Sequence, residues 1–514
     1  MCEKLDRELP WGIANLKTHG GALLKILLVY PQHPDTFWNF KYALSFISKK
    51  ASSPPLGLLT VSTMLPEQWE KKLCDLTVSQ LTDRDIRWAD YIFISAMSVQ
   101  RESTNKIIAR CKNLGAKIVA GGPLFTSSYK DFEEIDHLVL GEAEVTLPLF
   151  LEDLEKGCPQ RIYPPNGRAD ITTTPVPAWD LIKRKKYNSM CIQYTRGCPF
   201  NCEFCDVTQL FGHKLRSKTT AQIVAELESI YVSGWRGSVF FVDDNFIGNR
   251  KILKTEILPA IIEWMDKRKN PFEFNTQASI DLADDDELIN MMARAGFNTV
   301  FVGIETPDND SLVECGKFQN KNRDMIACVQ KIQKLGIQVQ GGFILGFDND
   351  KPNIFDRMSE FIQNSGIVTA MVGLLKAPIG TQLYKRLEGE NRLLKNWSGN
   401  NTDTAMDFVP KMDPAELLNG YNNVIKSVYT PKNFYARVKN LLRNYKPYQK
   451  KRFKIRFCDI QALFKSFWLI GVVSKGRTHY WRLLAWSLFR RPRSLPMAVT
   501  LSIYGFHFRK VYAV

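Results

Sequence analysis

Three cysteines occur within one short segment, Thr195-Arg-Gly-Cys-Pro-Phe-Asn-Cys-Glu-Phe-Cys205. These cysteines are Cys198, Cys202 and Cys205. They follow an apolar run, Met190 to Tyr194, that is typical of a strand. Thiols this close in sequence are better suited to bind a metal group than to pack in a core, and cysteine thiolates are the usual ligands of iron–sulfur clusters. Three thiols on a four-iron cluster would leave one iron open to bind a further ligand.

A structural zinc site is the alternative interpretation of this loop. A tetrahedral structural zinc site needs a fourth protein ligand. His213 is the only histidine near the three cysteines in the sequence. The residues that follow the loop favour the cluster.

The composition is that of an ordinary globular protein of several domains. With 514 residues the chain is long enough for about three domains of ~150 residues each, and 45% hydrophobic and 24% charged residues are typical values. Eleven cysteines and an N-terminus without an apolar run predict a reducing compartment. No apolar run approaches the ~20 residues of a membrane-spanning helix. We therefore expect a cytoplasmic protein.

The first region, about residues 22–160, predicts an α/β domain with a parallel, Rossmann-like sheet. Strand candidates are Leu23–Tyr30, Tyr91–Ser95, Lys117–Ala120 and His137–Leu140, and helical patterns cover Arg101–Leu114 and Glu144–Leu154. Sheets of this kind bind ligands beyond the carboxyl ends of their strands. The polar and glycine residues at those ends are Ser95, Gly121, Gly122, Gly141, Glu142 and Glu144.

The central region, about residues 188–400, contains six strand-then-helix units. The strands are expected near 191–195, 238–243, 272–277, 299–304, 337–345 and 368–373, with helices over 220–233, 251–267, 284–295, 321–335 and 353–364. Six such units predict a partial (β/α)6 barrel, in which chemistry takes place at the carboxyl ends of the strands. Several of those ends carry polar side chains, namely Asp243, Asp244, Asn245, Ser279, Glu305 and Lys376, and Gly346 follows the fifth strand. Clustered carboxylates and amides suit a ligand with an ammonium group and a ribose.

The last region, about residues 405–514, predicts a mainly helical domain with a strongly basic end. Helical segments are expected over Pro414–Val428 and Pro431–Tyr445, where Asp413 before Pro414 marks a helix start. The formal net charge of the chain is +16, and residues 431–514 alone hold nineteen Lys and Arg against one acidic residue, Asp459.

Three interpretations of this basic end stay open. Basic clusters such as Lys450–Arg456 beside the aromatic-rich segments 464–473 and 480–489 suit a surface that touches anionic lipid. Nucleic acid is a rival partner for a basic, aromatic stretch. The third interpretation is a helical domain that packs on the barrel with its lysines solvated.

The C-x3-C-x2-C spacing, with Phe204 before the last thiol, resembles that of the radical S-adenosylmethionine (SAM) enzymes. The Gly-Gly and Gly-Glu-x-Glu sequences resemble the cobalamin-binding domain that precedes many radical SAM domains. The order of motifs over nearly the whole chain is similar to that of the bacterial hopanoid C-2 methylases. Segments that carry this likeness include Pro34–Trp38, Pro54–Leu58, Phe240–Asn249, Lys317–Arg323, Gln340–Phe343, Phe408–Met412 and Tyr504–Arg509.

The resemblance implies a set of cofactor contacts. The three cysteines would hold a [4Fe-4S] cluster, with SAM on the open iron. Asp244 and Asn245 would contact SAM, Ser279 and Glu305 its ribose and amino acid part, and Phe204 and the Ile344–Gly346 segment its adenine. Ser95, Gly121, Gly122 and Glu142 would lie in the cobalamin site. The chain lacks the Asp-x-His-x-x-Gly motif that supplies a lower cobalt ligand in many cobalamin domains, and His33 stands outside that context.

The resemblance also implies a reaction. The reduced cluster would cleave SAM to methionine and a 5′-deoxyadenosyl radical, which removes hydrogen from an unactivated carbon of a triterpenoid. Methylcobalamin would then supply the methyl group, and a second SAM would remethylate the cobalt. A flavodoxin or ferredoxin would serve as electron donor, and the basic tail would meet the membrane in which hopanoids reside.

Two alternatives remain open at the sequence level. The same chemistry would serve another lipid, a natural-product intermediate or a tetrapyrrole. An RNA-modifying radical SAM enzyme would use the basic tail to hold RNA, but such methylthiotransferases normally carry a second cysteine triplet, and the other cysteines of this chain are scattered.

Overall fold

The structure, a computed structural model, describes residues 23–394, 398–448 and 457–513. The chain divides into two compact units. One comprises the described residues up to Gln32 together with Pro55–Ile182. The other comprises His33–Pro54, with the short helix α1 (Lys41–Leu44), together with the described residues from Lys183 onward. The three domain boundaries expected from the sequence stay a prediction.

A parallel six-stranded sheet of order β2-β1-β3-β4-β5-β6 forms the centre of the first unit. Its strands are β1 (Lys25–Tyr30), β2 (Glu70–Asp75), β3 (Tyr91–Ser95), β4 (Lys117–Gly121), β5 (His137–Val139) and β6 (Ile162–Tyr163). Its helices are α2 (Leu56–Met64), α3 (Asp83–Trp88), α4 (Arg101–Asn113), α5 (Pro123–Ser128) and α6 (Ala143–Glu155). Alternate residues of β1 enter two separate hydrophobic clusters, with Ile26 in one and Leu27 in the other. Both faces of the sheet are therefore buried, as expected for a Rossmann-like domain.

The two edge strands of this sheet, β2 and β6, are not among the strands predicted from the sequence. Strand β2 begins Glu-Lys-Lys, and its first four residues alternate between exposed and half-buried positions. Strand β6 has only two residues. Neither segment is an apolar run, because an edge strand of a parallel sheet does not need to be buried on all sides.

A second parallel sheet, of order β14-β13-β12-β11-β10-β7, forms the centre of the second unit. Its strands are β7 (Ser189–Ile192), β10 (Gly237–Phe241), β11 (Phe272–Gln277), β12 (Phe297–Glu305), β13 (Gln338–Leu345) and β14 (Ala370–Leu374), and a small antiparallel pair is formed by β8 (Thr195–Arg196) and β9 (Arg216–Ser217). The strands pair in chain order. This arrangement confirms the predicted partial (β/α)6 barrel.

Helices follow the strands of this sheet. They are α7 (Val207–Phe211), α8 (Thr220–Val232), α9 (Arg250–Ile252), α10 (Leu258–Lys267), α11 (Asp286–Ala295), α12 (Asn309–Glu314), α13 (Met325–Lys334), α14 (Ile354–Ser365) and α15 (Gln382–Gly389). The helix expected over 251–267 is divided, because one π-helical turn, Leu253–Ile257, separates α9 from α10. A π turn has no signature in hydrophobic spacing, so the sequence pattern did not predict it.

The end of the chain is helical, as predicted. Its helices are α16 (Pro414–Tyr429), α17 (Pro431–Asn444), α18 (Phe457–Trp468), α19 (Arg477–Arg490) and α20 (Leu495–Val511). The expected cap of α16 is present, since a carboxylate oxygen of Asp413 accepts a hydrogen bond from the Glu416 amide at 2.9 Å. The basic run Lys450–Arg456 lies outside the described residues. None of the helices in the described ranges is both long and apolar enough to cross a membrane.

Helix α20 packs against the segment His33–Pro54. The Phe508 ring stacks on the Phe37 ring with centroids 4.3 Å apart, and the His507 Nε2 atom lies 3.0 Å from the Phe37 carbonyl oxygen. These contacts explain why His33–Pro54 belongs to the second unit although it follows β1 in the chain. Burial lowers the pKa of His33 to about 4.

Candidate functional site

The start of the cysteine loop is hydrogen-bonded to a buried carboxylate, that of Asp243. Asp243, which follows β10, is fully buried. Its carboxylate accepts hydrogen bonds from the Tyr194 amide at 3.2 Å, from the Thr195 amide, and from the Thr195 hydroxyl at 2.6 Å. Burial raises the pKa of Asp243 to about 6, and these hydrogen bonds oppose the rise. The side chain thus fixes the exit of the chain from β7 toward Cys198.

The middle of the loop is held from helix α15. The Arg386 guanidinium contacts the Glu203 carboxylate through Nε at 2.6 Å and Nη2 at 3.2 Å, and its Nη1 contacts Asp348 at 2.8 Å. The Glu203 amide donates to the Cys315 carbonyl at 2.9 Å, and the Leu383 amide donates to the Glu203 carbonyl at 2.9 Å. A bidentate arginine–carboxylate pair and two backbone hydrogen bonds therefore fix the residue between Cys202 and Phe204.

The three thiols are free and half-buried. Burial raises the pKa of all three thiols, and the carboxylate of Asp206 raises that of Cys205 further. Thiolates at these positions therefore need a positive charge close by, and the iron ions of a cluster would supply it. No group of three His, Cys, Asp or Glu side chains in the described ranges is arranged to hold a single metal ion. In a cluster each thiolate binds a different iron, so the sulfurs do not have to converge on one point. The donor set thus fits the cluster.

The predicted SAM contacts Asn245 and Ser279 lie together. The Asn245 side-chain oxygen accepts a hydrogen bond from the Ser279 amide at 3.3 Å, and both residues are buried. The buried Ser279 hydroxyl has no hydrogen-bond partner among the described residues. Burial and the charges of Asp243 and Asp206 raise the pKa of Asp244 to about 7. Burial raises the pKa of Cys198, and the charge of Asp244 adds to this rise.

Glu305, at the end of β12, forms a buried ion pair that the sequence analysis did not predict. Its carboxylate lies 2.6 Å from the Lys317 ammonium, and both side chains are nearly buried. Glu305 has a left-handed backbone (φ 65°) at an irregularity in the pairing of β12 with β13. A Cβ atom on Gly303 would lie 2.3 Å from the carboxylate and 2.6 Å from the ammonium, so glycine leaves the space for this pair.

Lys317 is the functional candidate that sequence reasoning missed. Burial lowers its pKa, but the charges of Glu305 and Cys202 overcome this and raise it. Its ammonium in turn opposes the rise in the pKa of Cys202. The preceding residue, Gly316, packs against the cysteine loop, since a Cβ atom there would lie 2.8 Å from the Asn201 carbonyl oxygen and 3.9 Å from the Cys202 Cα atom. The only signal in the sequence was its position at the start of the Lys317–Arg323 segment, which carries part of the family likeness.

The predicted adenine contacts also lie together. The Phe204 ring is 6.3 Å from the Phe347 ring, between centroids, and Phe204 and Ile344 pack against the same hydrophobic cluster. The Gly346 amide donates to the Asp350 carboxylate at 2.8 Å. These contacts give an apolar wall beside the last cysteine of the loop.

In the first unit, the predicted cobalamin contacts lie at the carboxyl ends of β3, β4 and β5. Ser95 pairs with Gly121 across the sheet, and the buried Glu142 is the N-cap residue of α6. Gly122 has φ 91°, and a Cβ atom there would lie 2.6 Å from the Ser95 hydroxyl. A Cβ atom on Gly121 would lie 2.7 Å from the Val139 carbonyl oxygen. Both positions therefore require glycine, because the chain packs closely against β3 and β5 where the cobalamin contacts are predicted.

Comparison with protein families divides the chain into three matched stretches. Residues 47–151 match the B12 binding domain, and residues 192–362 match the radical SAM superfamily. Residues 381–514 match a domain of unknown function, DUF4070. The cysteine loop and the ends of β10 to β13 fall within the radical SAM match.

Two curated relatives align with most of the chain. An uncharacterized methyltransferase of Synechocystis sp. is 40% identical over 496 residues, covering 94% of this chain and 91% of the relative. The hopanoid C-2 methylase of Rhodopseudomonas palustris (strain TIE-1) is 34% identical over 395 residues, covering 76% of this chain and 74% of the relative.

Solved structures of the same fold contain cobalamin. The cobalamin-dependent SAM radical enzyme OxsB with aqua-cobalamin bound has a TM-score of 0.60 at 16% identity, covering 95% of this chain and 79% of OxsB. The radical SAM methyltransferase TsrM from Kitasatospora setae, with cobalamin and a [4Fe-4S] cluster bound, has a TM-score of 0.57 at 16% identity and covers 78% of this chain and 85% of TsrM. This chain therefore belongs to the cobalamin-binding radical SAM family, as a C-methyltransferase that works with a [4Fe-4S] cluster, SAM and cobalamin.

Proposed function

We propose that this enzyme methylates C-2 of a hopanoid. The observation that carries the proposal is the 34% identity to the hopanoid C-2 methylase of R. palustris across three quarters of both chains. The segments that carry the likeness in the sequence extend beyond the cofactor domains to Tyr504–Arg509 in α20. A saturated ring carbon has no acidic proton for a base to remove, so a radical route fits this substrate.

We assign the following roles to the residues at the carboxyl ends of the barrel strands. Cys198, Cys202 and Cys205 hold the cluster. Asp244, Asn245 and Ser279 bind polar groups of SAM, with the unpartnered Ser279 hydroxyl directed to its ribose. Phe204 and the Gly346 segment provide an apolar wall for the adenine. When bound, the three cofactors supply an electron, a hydrogen-abstracting group and a methyl donor.

The Lys317–Glu305 pair suits the amino acid part of SAM. That part carries an ammonium and a carboxylate, and the pair offers a carboxylate and an ammonium beside Cys202. Exchange of partners between two ion pairs keeps every buried charge compensated. We therefore propose that SAM binds across Lys317 and Glu305.

Ser95, Gly121, Gly122 and Glu142 form the proposed cobalamin edge of the first unit. A reductant such as flavodoxin or ferredoxin is the proposed electron donor. Because hopanoids are membrane lipids, we place the enzyme in the cytoplasm with peripheral contact to the inner face of the cell membrane.

The lipid profile of an expressing strain tests the substrate. We expect a hopanoid that is heavier by one methylene when this chain is expressed in a hopanoid-producing bacterium without its own C-2 methylase, as measured by mass spectrometry. Cys202→Ala should abolish the product, because a cluster ligand is lost. Cys158→Ala, an exposed cysteine outside the loop, should retain it. An unchanged lipid profile in a strain whose enzyme contains both cluster and cobalamin would reject the hopanoid and leave another substrate of the same chemistry.

The glycine pair of the first unit gives a test of cobalamin binding. Gly122→Ala places a Cβ against the Ser95 hydroxyl at a left-handed backbone position, so the edge of the sheet must shift. We expect at least a tenfold lower cobalamin content, measured from the absorption spectrum of the purified protein, with the iron content unchanged. The matched control is Gly57→Ala, where nothing lies within 4 Å of an added Cβ. A full cobalamin content in Gly122→Ala would contradict the assignment of this edge.

The proposed SAM contact of Lys317 is tested by Lys317→Met. We expect SAM cleavage to 5′-deoxyadenosine by the dithionite-reduced enzyme to fall at least tenfold at subsaturating SAM. Lys317→Met also leaves the Glu305 carboxylate buried without its partner, which lowers the free energy of unfolding by ~3–5 kcal/mol. The double variant Lys317→Met/Glu305→Gln removes that unpaired charge. A loss of SAM cleavage in the double variant therefore reports on SAM binding and not on folding. Lys251→Met, an exposed lysine of α9, is the control. Normal cleavage kinetics in Lys317→Met with a full cluster would contradict the assignment.

A further inference from the structure

Helix α18 carries its large apolar side chains on the side that faces solvent. Phe457, Phe464 and Trp468 are 82%, 66% and 63% exposed, and Ile460 is 43% exposed. Because these positions are three or four residues apart, they lie on one face of the helix. We call these four residues the α18 stripe. Such an apolar face would normally point into a core.

The opposite face of α18 packs on the protein through small residues. Ala462 and Ser466 are buried, and the Ser466 hydroxyl lies 2.8 Å from the Tyr480 hydroxyl of α19. On the same helix, the Lys465 ammonium donates to the Ser45 carbonyl at 2.7 Å, and Gln461 accepts from the Ser48 hydroxyl at 3.2 Å. These contacts fix the rotation of the helix, so the α18 stripe faces away from the unit.

Basic side chains follow the stripe. Val472 and Val473 extend the apolar surface, and the exposed Lys475 and Arg477 come directly after them. Arg477 Nη1 lies 3.4 Å from the Val472 carbonyl oxygen, which places this cation at the end of the stripe. The single acidic residue of 431–514, Asp459, precedes Ala462 by three residues and Ser466 by seven, so it lies on the packed face.

Helix α19 ends with the same combination. Leu488 and Phe489 are exposed. Three exposed arginines follow them, namely Arg490, Arg491 and Arg493. Exposed aromatic side chains beside exposed cations thus occur twice in this part of the chain.

The charge of this region decides between a lipid surface and a second copy of the chain. Residues 431–514 carry a net charge of +18, so two copies that met through the same face would bring like charges together. An anionic bilayer accepts aromatic and aliphatic side chains at the headgroup level and attracts Lys and Arg at its surface.

We propose that the α18 stripe, with Val472, Val473, Lys475 and Arg477, docks the enzyme on the surface of an anionic phospholipid bilayer. The purpose of this contact rests on the proposed function, whereas the exposure, packing and charge of the α18 stripe do not depend on it. Docking would bring the enzyme to a substrate that partitions into the bilayer.

Vesicle sedimentation tests the surface without any substrate. The anaerobically purified full-length holoenzyme is mixed with vesicles of phosphatidylglycerol and phosphatidylethanolamine, or with vesicles of phosphatidylcholine alone. We expect binding to the anionic vesicles, weakened by added salt, and at least tenfold weaker binding to phosphatidylcholine. Phe464→Ser/Trp468→Ser should lower the affinity for anionic vesicles at least tenfold, because two apolar side chains no longer enter the interface.

The matched control is Val232→Ser, which removes an equally exposed apolar side chain (73%) at the end of α8. It should bind as the parent enzyme does. Cluster and cobalamin content of the double variant, read from absorption spectra, shows that its fold is intact. Equal binding of parent and double variant would overturn the proposal. So would a parent enzyme that ignores anionic vesicles, binds RNA through the stripe, or is a dimer that the double variant converts to monomer. Methylation of a detergent-solubilised hopanoid is measured separately, so a failed substrate assignment does not obscure the vesicle result.

Discussion

The three thiols must be held at the mouth of a parallel sheet, and the buried Asp243 carboxylate provides the first constraint. A buried carboxylate is costly unless it is hydrogen-bonded. The Asp243 carboxylate accepts hydrogen bonds from the Tyr194 and Thr195 amides and from the Thr195 hydroxyl, at the point where the chain leaves β7. The Asp243 side chain at the end of β10 thereby fixes the cysteine loop, which follows the neighbouring strand β7. The start of the cysteine loop depends on these hydrogen bonds.

The same loop is stabilised from later parts of the chain. Arg386 of α15 holds Glu203 between the second and third cysteines, and α15 lies within the match to DUF4070, residues 381–514. That domain therefore contributes a structural contact to the radical SAM site. Lys317 and Glu305 add a buried ion pair beside Cys202, and Gly303 leaves room for it. Burial raises the pKa of Cys202, the Lys317 charge opposes this rise and the Glu305 charge adds to it.

The sequence predicted most of the architecture because parallel strands buried on both faces are apolar runs. Among the barrel strands, β7 and β14 have this character, whereas β11 alternates apolar and polar residues. Four of the six strands of the first sheet have it as well. The exceptions, β2 and β6, lie at the edges of the first sheet. Among the candidate site residues, those placed directly after a strand, such as Asn245, Ser279 and Glu305, were found because the carboxyl ends of parallel strands meet. Lys317 was missed because it follows Glu305 by twelve residues and comes after the short helix α12, not directly after a strand. The role of Asp243 was missed because a sequence does not show which of two neighbouring aspartates faces inward.

The central claim is that the Cys198–Cys205 loop holds a four-iron cluster with one iron open to SAM. Electron paramagnetic resonance of the anaerobically reconstituted, dithionite-reduced enzyme tests it most directly. The account predicts the signal of a reduced [4Fe-4S] cluster that changes when SAM is added, in protein that also contains cobalamin. A reconstituted protein that binds zinc at the three cysteines and shows no cluster signal would contradict it, as would a cluster signal that SAM leaves unchanged.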